Sequence, residues 1–598
     1  MSGVATLLAR EKDLAVGIGT FDQPAKYLNQ DYNLLKKKCL QAGKLFIDNT
    51  FPGVPSALGF NELGPGSPRS KGVVWKRPGE ICANPQFTIG GMSSTDACQG
   101  ALPDCWLLAA IAALTTNKNA ILHVIPDGQS FQVNYAGIFH FQFWQFGQWV
   151  DVVIDDQLPT VNGQLLFDHS PGQNEFWSVL LEKAYAKLNG CYECLAGGSL
   201  TEAFEDFTGG ISENYNLNKA PENLFQIICK ALNAGSLLGS YLDFSGPDDK
   251  EERTPQNLIK RHGYSILDAK ENGKEQLLRI RNPWGQVEWN GAWSDNAPEW
   301  NDVSPDVQSR LDYKAEDGEF WMSFSDYMKN YVRLEICNLS PDTQGSGTVH
   351  QWTTSQFEGV WRIGSTAGGC IDHKATFRMN PQFYFKLLEE DDDRNVRGCS
   401  FVVGLMQKNA RRNRIIDQDL NIIGFAIFQP IITGEPIRDF HWNPIAISST
   451  FIDDREECDR FTLPPGDYVI IPSTQEPHKN GNFILRFFFE KKAVASTPSI
   501  TDSDSTNIAV FLCFCIPQLD EQTKTLVYLL SKQVVHVLGI VSIFELSLCP
   551  SLLILQFALV FWLLGLSHYS GFDPFCLSLR VATCLHLLGI CVLLTIDR

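Results

Sequence analysis

The period of the hydrophobic pattern changes repeatedly along these 598 residues, a length too great for a single core. Helical spacing comes first. "DCWLLAAIAAL" (104–114) is apolar from its second residue on. "EFWSVLLEKAYAKLNG" (175–190) sets Phe176, Leu180, Leu181, Ala184, Tyr185 and Leu188 on one helical face before Gly190 stops it. Between these stretches, "IFHFQFWQFGQWVDVVI" (138–154) alternates Phe139, Phe141 and Phe143 and reads as two strands around Gly147. From about residue 258 strand patterns take over. From 345 to 495, short β-type runs such as "SFVVGLM", "GDYVIIP" and "NFILRFFFE" are separated by turns, the pattern of a sandwich. The expected class is α+β. A helix-rich lobe (21–205) and a strand-rich lobe (206–344) precede an antiparallel β-sandwich (345–495), with a short helix (1–20) ahead and a polar linker (496–510) behind.

After the linker the composition breaks. Residues 546–566, "LSLCPSLLILQFALVFWLLGL", carry no charge over a length that spans a bilayer, and 575–596 is interrupted only by Arg580 before its end. No basic cluster flanks either run to set a topology. The tail, 511–598, is expected to be helical or disordered, and two readings stay open: a membrane tether, or an alternative final exon with no such role.

A formal charge of -19 argues against a nucleic-acid partner and suits carboxylate sites for hard cations. Arg10, Glu11, Lys12 and Asp13 interrupt any secretory apolar region. The seventeen cysteines are scattered and odd in number, which reads as reduced thiols in a cytoplasmic protein, membrane-associated if the tail is a tether. Cys191 and Cys194 frame a CxxC with no second pair, so no metal site is expected there. An acidic run (389–393) and a basic run (408–414) lie one strand apart; they are either two solvated loops or a regulatory electrostatic surface.

Chemistry concentrates around "QGALPDCWLLAAIAAL" (99–114). Cys105 opens the helix, where the N-terminal dipole favours a thiolate by ~0.3–1 kcal/mol. Asp104 is placed to cap that helix, and the Gln99 amide to meet the oxyanion of a tetrahedral intermediate beside the Cys105 N–H. A thiolate needs an imidazole. "HGYSILDAKENGKEQLLRIRN" (262–282) reads as a hairpin turning at Asn272 and Gly273. Folded symmetrically there, it sets His262 opposite Asn282, ~4.5–5.5 Å apart as cross-strand neighbours are. An amide so placed fixes the imidazole tautomer, and Trp284 is placed to shield the pair from water. The register is uncertain by a residue or two. A lone cysteine in an apolar run is ordinarily structural; cysteine, histidine and asparagine in this order, with glutamine ahead, is far more specific.

These stretches, together with "FEDFTGGISE", "IRNPWGQVEWNGAWSD" and "EDGEFWMSFSDY", resemble the conventional calpains, calcium-dependent papain-like cysteine proteases, up to about Lys492. "STAGGC" (365–370) and "LPPGDYVIIPST" (463–474) resemble their C2-like sandwich. The resemblance implies catalytic roles for Cys105, His262, Asn282 and Gln99, with Gly198, Arg261 and Trp284 at the substrate cleft. It also implies one calcium ion per lobe. The first would lie on the carbonyls of Ile89 and Gly91 with Asp96 and Glu175. The second would lie on Glu288, Asp295, Asp317 and Glu319 with the carbonyl of Ala315. Hard oxygen donors suit that ion. Protein substrates are implied, and phospholipid or membrane contact through the sandwich or tail stays open.

The chain departs from the family pattern in three places. Pro103 stands where calpains have glycine, and proline fixes φ near about -65° and lacks an N–H. Either it distorts the cleft beside Cys105 or it stiffens the turn. Arg261 and Gly263 flank the histidine in place of a small residue and alanine. No EF-hand loop pattern follows residue 500, so a heterodimer with the family's small regulatory subunit is not expected. A catalytically silent binding protein is the alternative reading.

Overall fold

The computed structural model describes residues 13–242, 252–295, 297–305, 308, 311, 317–340, 353–391, 398–416, 420–430, 444–448, 450–491 and 493–496. All belong to the first of two units, Met1–Pro498 and Ser499–Arg598. Most of the expected N-terminal helix, the linker from residue 497, the tail with both apolar runs, and Ala315 lie outside them. Among the described residues no helix is long and apolar enough to cross a membrane.

Helix α1, Cys105–Leu114, is rich in alanine and leucine, strong helix formers, and all ten of its residues are buried. The expected strand pair is β1, Ile138–Gln145, and β2, Gln148–Asp155. Phe146 (φ 50°) and Gly147 (φ 87°) both take the left-handed region, as a two-residue type I′ turn requires. Phe141 and Phe143 of β1 pack with Leu107 and Leu108 of α1 in the first core. Helix α2, Trp177–Asn189, ends at Gly190 (φ 111°) as the pattern predicts. Helix α3, Leu200–Thr208, adds Phe204 and Phe207 to the same core and ends at the Gly209 cap.

The second lobe is one antiparallel sheet with helices packed on it. In chain order its strands and α-helices among the described residues include β3, Ile211–Asn216; α4, Leu224–Asn233; β4, Leu237–Leu242; β5, Gly263–Asn272; β6, Glu275–Arg281; β7, Glu319–Ser323; α5, Phe324–Asn330; and β8, Tyr331–Asn338. The strands stand in the order β7-β6-β5-β4-β8-β3. Leu224, Phe225 and Ile228 of α4 cover Leu238, Ile266 and Leu278 of the sheet, a second core.

The sandwich follows as expected. A four-stranded sheet (353–361, 481–489, 399–407, 456–463) faces a five-stranded one (446–447, 423–428, 466–474, 383–387, 493–496). Phe385, Phe401, Phe425, Ile470 and Phe487 fill the space between them.

Candidate active site

β5 and β6 form the predicted hairpin with a corrected register. Asn272 pairs with Glu275, so Gly273 and Lys274 make the turn, not Asn272 and Gly273. Gly273 (φ 63°) supplies the left-handed residue at the first turn position. The pairing slips once more between Arg279 and Ile280, leaving Arg281 opposite Ser265. Asn282 therefore falls short of the position opposite His262, and their side chains bridge the offset.

That bridge is fully specified. Asn282 Oδ1 is 2.7 Å from His262 Nε2 and accepts from the Trp284 N–H at 3.0 Å. Asn282 Nδ2 donates to the carbonyls of Gln286 (3.1 Å) and Val287 (2.9 Å). Two carbonyl acceptors fix which end of the amide is nitrogen, so His262 Nε2 must be the donor and the neutral ring carries its lone pair on Nδ1. Both residues are fully buried, and the Trp284 ring stands edge-on to the imidazole at 5.2 Å. Gly318 makes the arrangement possible. Its φ is 89°, a Cβ there would stand 2.7 Å from the Asn282 carbonyl oxygen, and its own carbonyl accepts from the Asn282 N–H at 2.8 Å.

The helix that Cys105 opens lies directly against β5. A methyl group on Gly263 would stand 3.5 Å from Trp106 Cα and 3.7 Å from Trp106 N, ordinary contact distances, so the residue after His262 touches the residue after Cys105. The lobes are also joined by Gln99 N–H to the Pro283 carbonyl (3.0 Å) and by Arg281 Nη2 to the Ala97 carbonyl (2.8 Å). Cys105 is 9% exposed.

Three expectations change in detail. Asp104 occupies the cap position, but its side chain caps nothing. It is buried beside Glu182, and burial pushes its carboxyl up to about 7 and Glu182 well above its ordinary value. Two buried carboxyls in contact cannot both ionise, and Glu182 is the one held protonated. The Gln99 amide nitrogen donates one of its two hydrogens to the Leu102 carbonyl at 2.8 Å. Pro103 contributes its carbonyl, which accepts from the Gly197 N–H at 2.8 Å and ties the turn before Cys105 to the Gly198 segment. Gly198 has no room for a side chain, since a Cβ would overlap the Arg411 guanidinium and the Trp106 ring. Arg261 is left-handed, φ 57°.

Comparison with known proteins matches residues 46–338 to the calpain family cysteine protease model and 357–488 to calpain large subunit, domain III. The calpain-2 catalytic subunit of Mus musculus is 55% identical over 507 residues, covering 82% of this chain and 72% of that protein. The Homo sapiens calpain-2 catalytic subunit is 54% identical (86% and 75% covered), and Homo sapiens calpain-8 is 54% identical (83% and 73%). The chain belongs to the calpain family.

The two calcium sets of calpains are met unequally. In the first lobe, Glu175 Oε1 accepts from the Ile89 N–H at 2.6 Å, and Asp96 Oδ2 accepts from Trp177 Nε1 at 3.0 Å. Gly90 (φ 75°) and Gly91 (φ 112°) turn the backbone beside them. Burial, then the Asp96 charge, pushes Glu175 up to about 7, and neither carboxylate has a salt-bridge partner among the described residues. Paired hard oxygens without a cation fit calcium. In the second lobe, Glu288 Oε1 accepts from the Gly318 N–H at 2.8 Å and Asp317 Oδ1 from the Glu319 N–H at 3.0 Å. Glu319, however, is ion-paired with Arg279 and bonded to Ser94 Oγ of the other lobe. Its carboxylate, with those of Glu288, Asp295 and Asp317, has not converged on one point.

Sequence reading missed how far the sandwich reaches into this calpain core. Of the run 408–414, Arg411 is 4% exposed, which excludes a simply solvated loop. Its Nε donates to Glu202 at 2.6 Å, its Nη1 to the carbonyls of Cys194 (2.8 Å) and Gly197 (3.1 Å), and its guanidinium stacks 4.0 Å over Trp106. The available signal was three acids, Glu202, Glu205 and Asp206, on a helix otherwise apolar enough to be buried.

Proposed function

We propose that this calpain is a calcium-activated cysteine endopeptidase that cuts intracellular proteins at a limited number of sites. Membership of a protease family gives protein substrates; catalytic competence, the roles of individual residues and the calcium requirement are the proposal. The observation that carries it is the His262–Asn282 bond at 2.7 Å on a strand in contact with the Cys105 helix. Cys105, as thiolate, attacks the scissile carbonyl, and the His262 imidazolium gives its Nδ1 proton to the leaving amine. The imidazole then draws a proton from water for deacylation. Asn282 holds the ring through Nε2, and the Cys105 N–H with the second hydrogen of the Gln99 amide faces the oxyanion. The Arg261 carbonyl, Gly198 and Trp284 border the cleft.

Asp96 and Glu175 with the carbonyls of Ile89 and Gly91, and Glu288, Asp295, Asp317 and Glu319 in the second lobe, would hold calcium. There the ion supplies positive charge to carboxylates that burial otherwise disfavours. Cytoplasmic location is part of the proposal.

The test is casein hydrolysis by the full chain with calcium or chelator, beside Cys105→Ala and Pro103→Gly. Calcium-dependent cleavage lost in Cys105→Ala supports the reading. A folded protein that cleaves nothing with calcium, or cleaves equally in Cys105→Ala, contradicts it. Cleavage within about threefold of the Pro103→Gly rate means the proline only stiffens the turn.

A further inference from the structure

The CxxC to which sequence reasoning assigned nothing is closed up in the fold. Cys191 and Cys194 lie in the turn between α2 and α3, buried, with their sulfurs 3.2 Å apart. The pair is asymmetric. The hydrogen bond between the thiols raises Cys191 and lowers Cys194, and the guanidiniums of Arg411 and Arg414 lower Cys194 further. One thiol biased toward thiolate beside a resolving partner is the arrangement that forms disulfides.

We propose that Cys191 and Cys194 are a reversible dithiol–disulfide couple that sets the conformation of the substrate-facing segment 195–198. The substrate-facing part rests on the protease reading; the couple itself does not. Each residue from Cys194 to Gly197 in this turn is anchored by a hydrogen bond to Arg411, Arg414 or the segment around Cys105. The Cys194 carbonyl accepts from Arg411 at 2.8 Å, the Leu195 carbonyl from Trp106 Nε1 at 2.9 Å, and the Ala196 carbonyl from Arg414 at 2.8 Å. The Gly197 N–H donates to the Pro103 carbonyl. A disulfide requires the sulfurs to close to about 2 Å, and Cys194 transmits that movement to these anchors.

The oxidant is a small peroxide. Cys194 thiolate attacks one peroxide oxygen, the O–O bond breaks, and hydroxide leaves and is protonated to water, giving a sulfenic acid. Cys191 loses its proton and attacks that sulfur. The S–S bond forms and the second oxygen leaves as water. Two thiols and one hydrogen peroxide give one disulfide and two waters, and a small dithiol reverses the change by two exchange steps. Size selects the oxidant. A methyl on Gly190 would stand 2.8 Å from Ile415 Cδ1 of the sandwich and 3.8 Å from Cys194 Sγ, so the turn is roofed. A water-sized reagent enters on local opening, and a bulky disulfide does not.

The test uses the full-length Cys105→Ser protein, which keeps the nucleophile out of the redox readout. Tryptic peptide 188–219 contains these two cysteines and no other. After hydrogen peroxide it should be two hydrogens lighter, resist alkylation, and revert with dithiothreitol. Exchange of the Gly197 amide should change between the two forms, and affinity for labelled casein should differ by at least about threefold. Cys194→Ala should abolish all three changes. A peptide alkylated at both cysteines after peroxide, or oxidised singly to sulfinic acid, overturns the couple. A disulfide with unchanged Gly197 exchange overturns its coupling to the segment. Failure to bind casein in either form counts against the protease reading alone, because mass and exchange still decide the couple.

Discussion

Two helices of the first lobe are buried along their whole length by opposite means. Helix α1 buries ten residues without one charge, among alanines, leucines and phenylalanines of its own lobe. Helix α3 buries nine, of which Glu202, Glu205 and Asp206 are acids. Each is met by an arginine of the sandwich. Arg411 bonds Glu202, Arg455 Nη2 bonds Asp206 at 2.5 Å, and Arg486 Nη2 lies 3.4 Å from Glu205. Glu205 also contacts Glu456, and burial with that like charge pushes it well above its ordinary value, so this pair shares a proton in front of Arg486. An apolar helix needs only a core, whereas α3 needs another domain. Cys105 sits on the helix that folds by local means, and the turn 195–198 sits beside the one that does not.

The largest effect belongs to α1 and the hairpin facing it. Cys105→Ala should lower kcat by about 10⁴-fold or more with the thermal midpoint nearly unchanged, because a small buried side chain is exchanged for a smaller one. Asn282→Ala should lower kcat/KM by ~10²–10⁴-fold and change its pH profile, since the imidazole loses the acceptor that fixes its tautomer. A normal profile in that variant would remove Asn282 from the machinery.

Next come the helices themselves. Arg455→Ala should cost about 3–5 kcal/mol in urea unfolding by stranding Asp206. Arg455→Met with Asp206→Leu should recover most of that loss. If the double variant is no better than the single, α3 is not held by charge pairing. Leu108→Ala should cost ~2–5 kcal/mol through an unfilled cavity, and removing an acid from α3 should not restore it.

The smallest expected effect concerns His123, a half-buried residue whose Nε2 is buried with no hydrogen-bond partner among the described residues. His123 stacks on Phe21 at 3.5 Å, and burial lowers its pKa to about 4. A base depressed below its unfolded value contributes stability above about pH 6.5 that is lost as pH falls toward 4. His123→Phe should therefore flatten the fall in thermal midpoint across that window, and an identical slope would mean the ring is not desolvated in the folded protein.

The same contrast explains what could be read from sequence. α1, the 138–155 hairpin, α2 and the sandwich strands announce themselves by local period, which is also how they fold. The His262–Asn282 bond was legible because a hairpin makes distant residues neighbours, but its register was not. The slip between Arg279 and Ile280 leaves no mark in the alternation. Asp104 read as a cap because nothing near it in sequence announces Glu182. Arg455 and Asp206 are 249 residues apart and each looks like an ordinary surface charge. Their pairing is a property of docked domains, not of either segment.

The proposed pairing of Cys105 with His262 across the two lobes is tested most directly by the rate of Cys105 alkylation with iodoacetamide at neutral pH. It should be measured in calcium for the native chain and for His262→Ala. Alkylation of Cys105 should be at least about tenfold faster in the native chain than in the variant. Equal rates in the two proteins would contradict it.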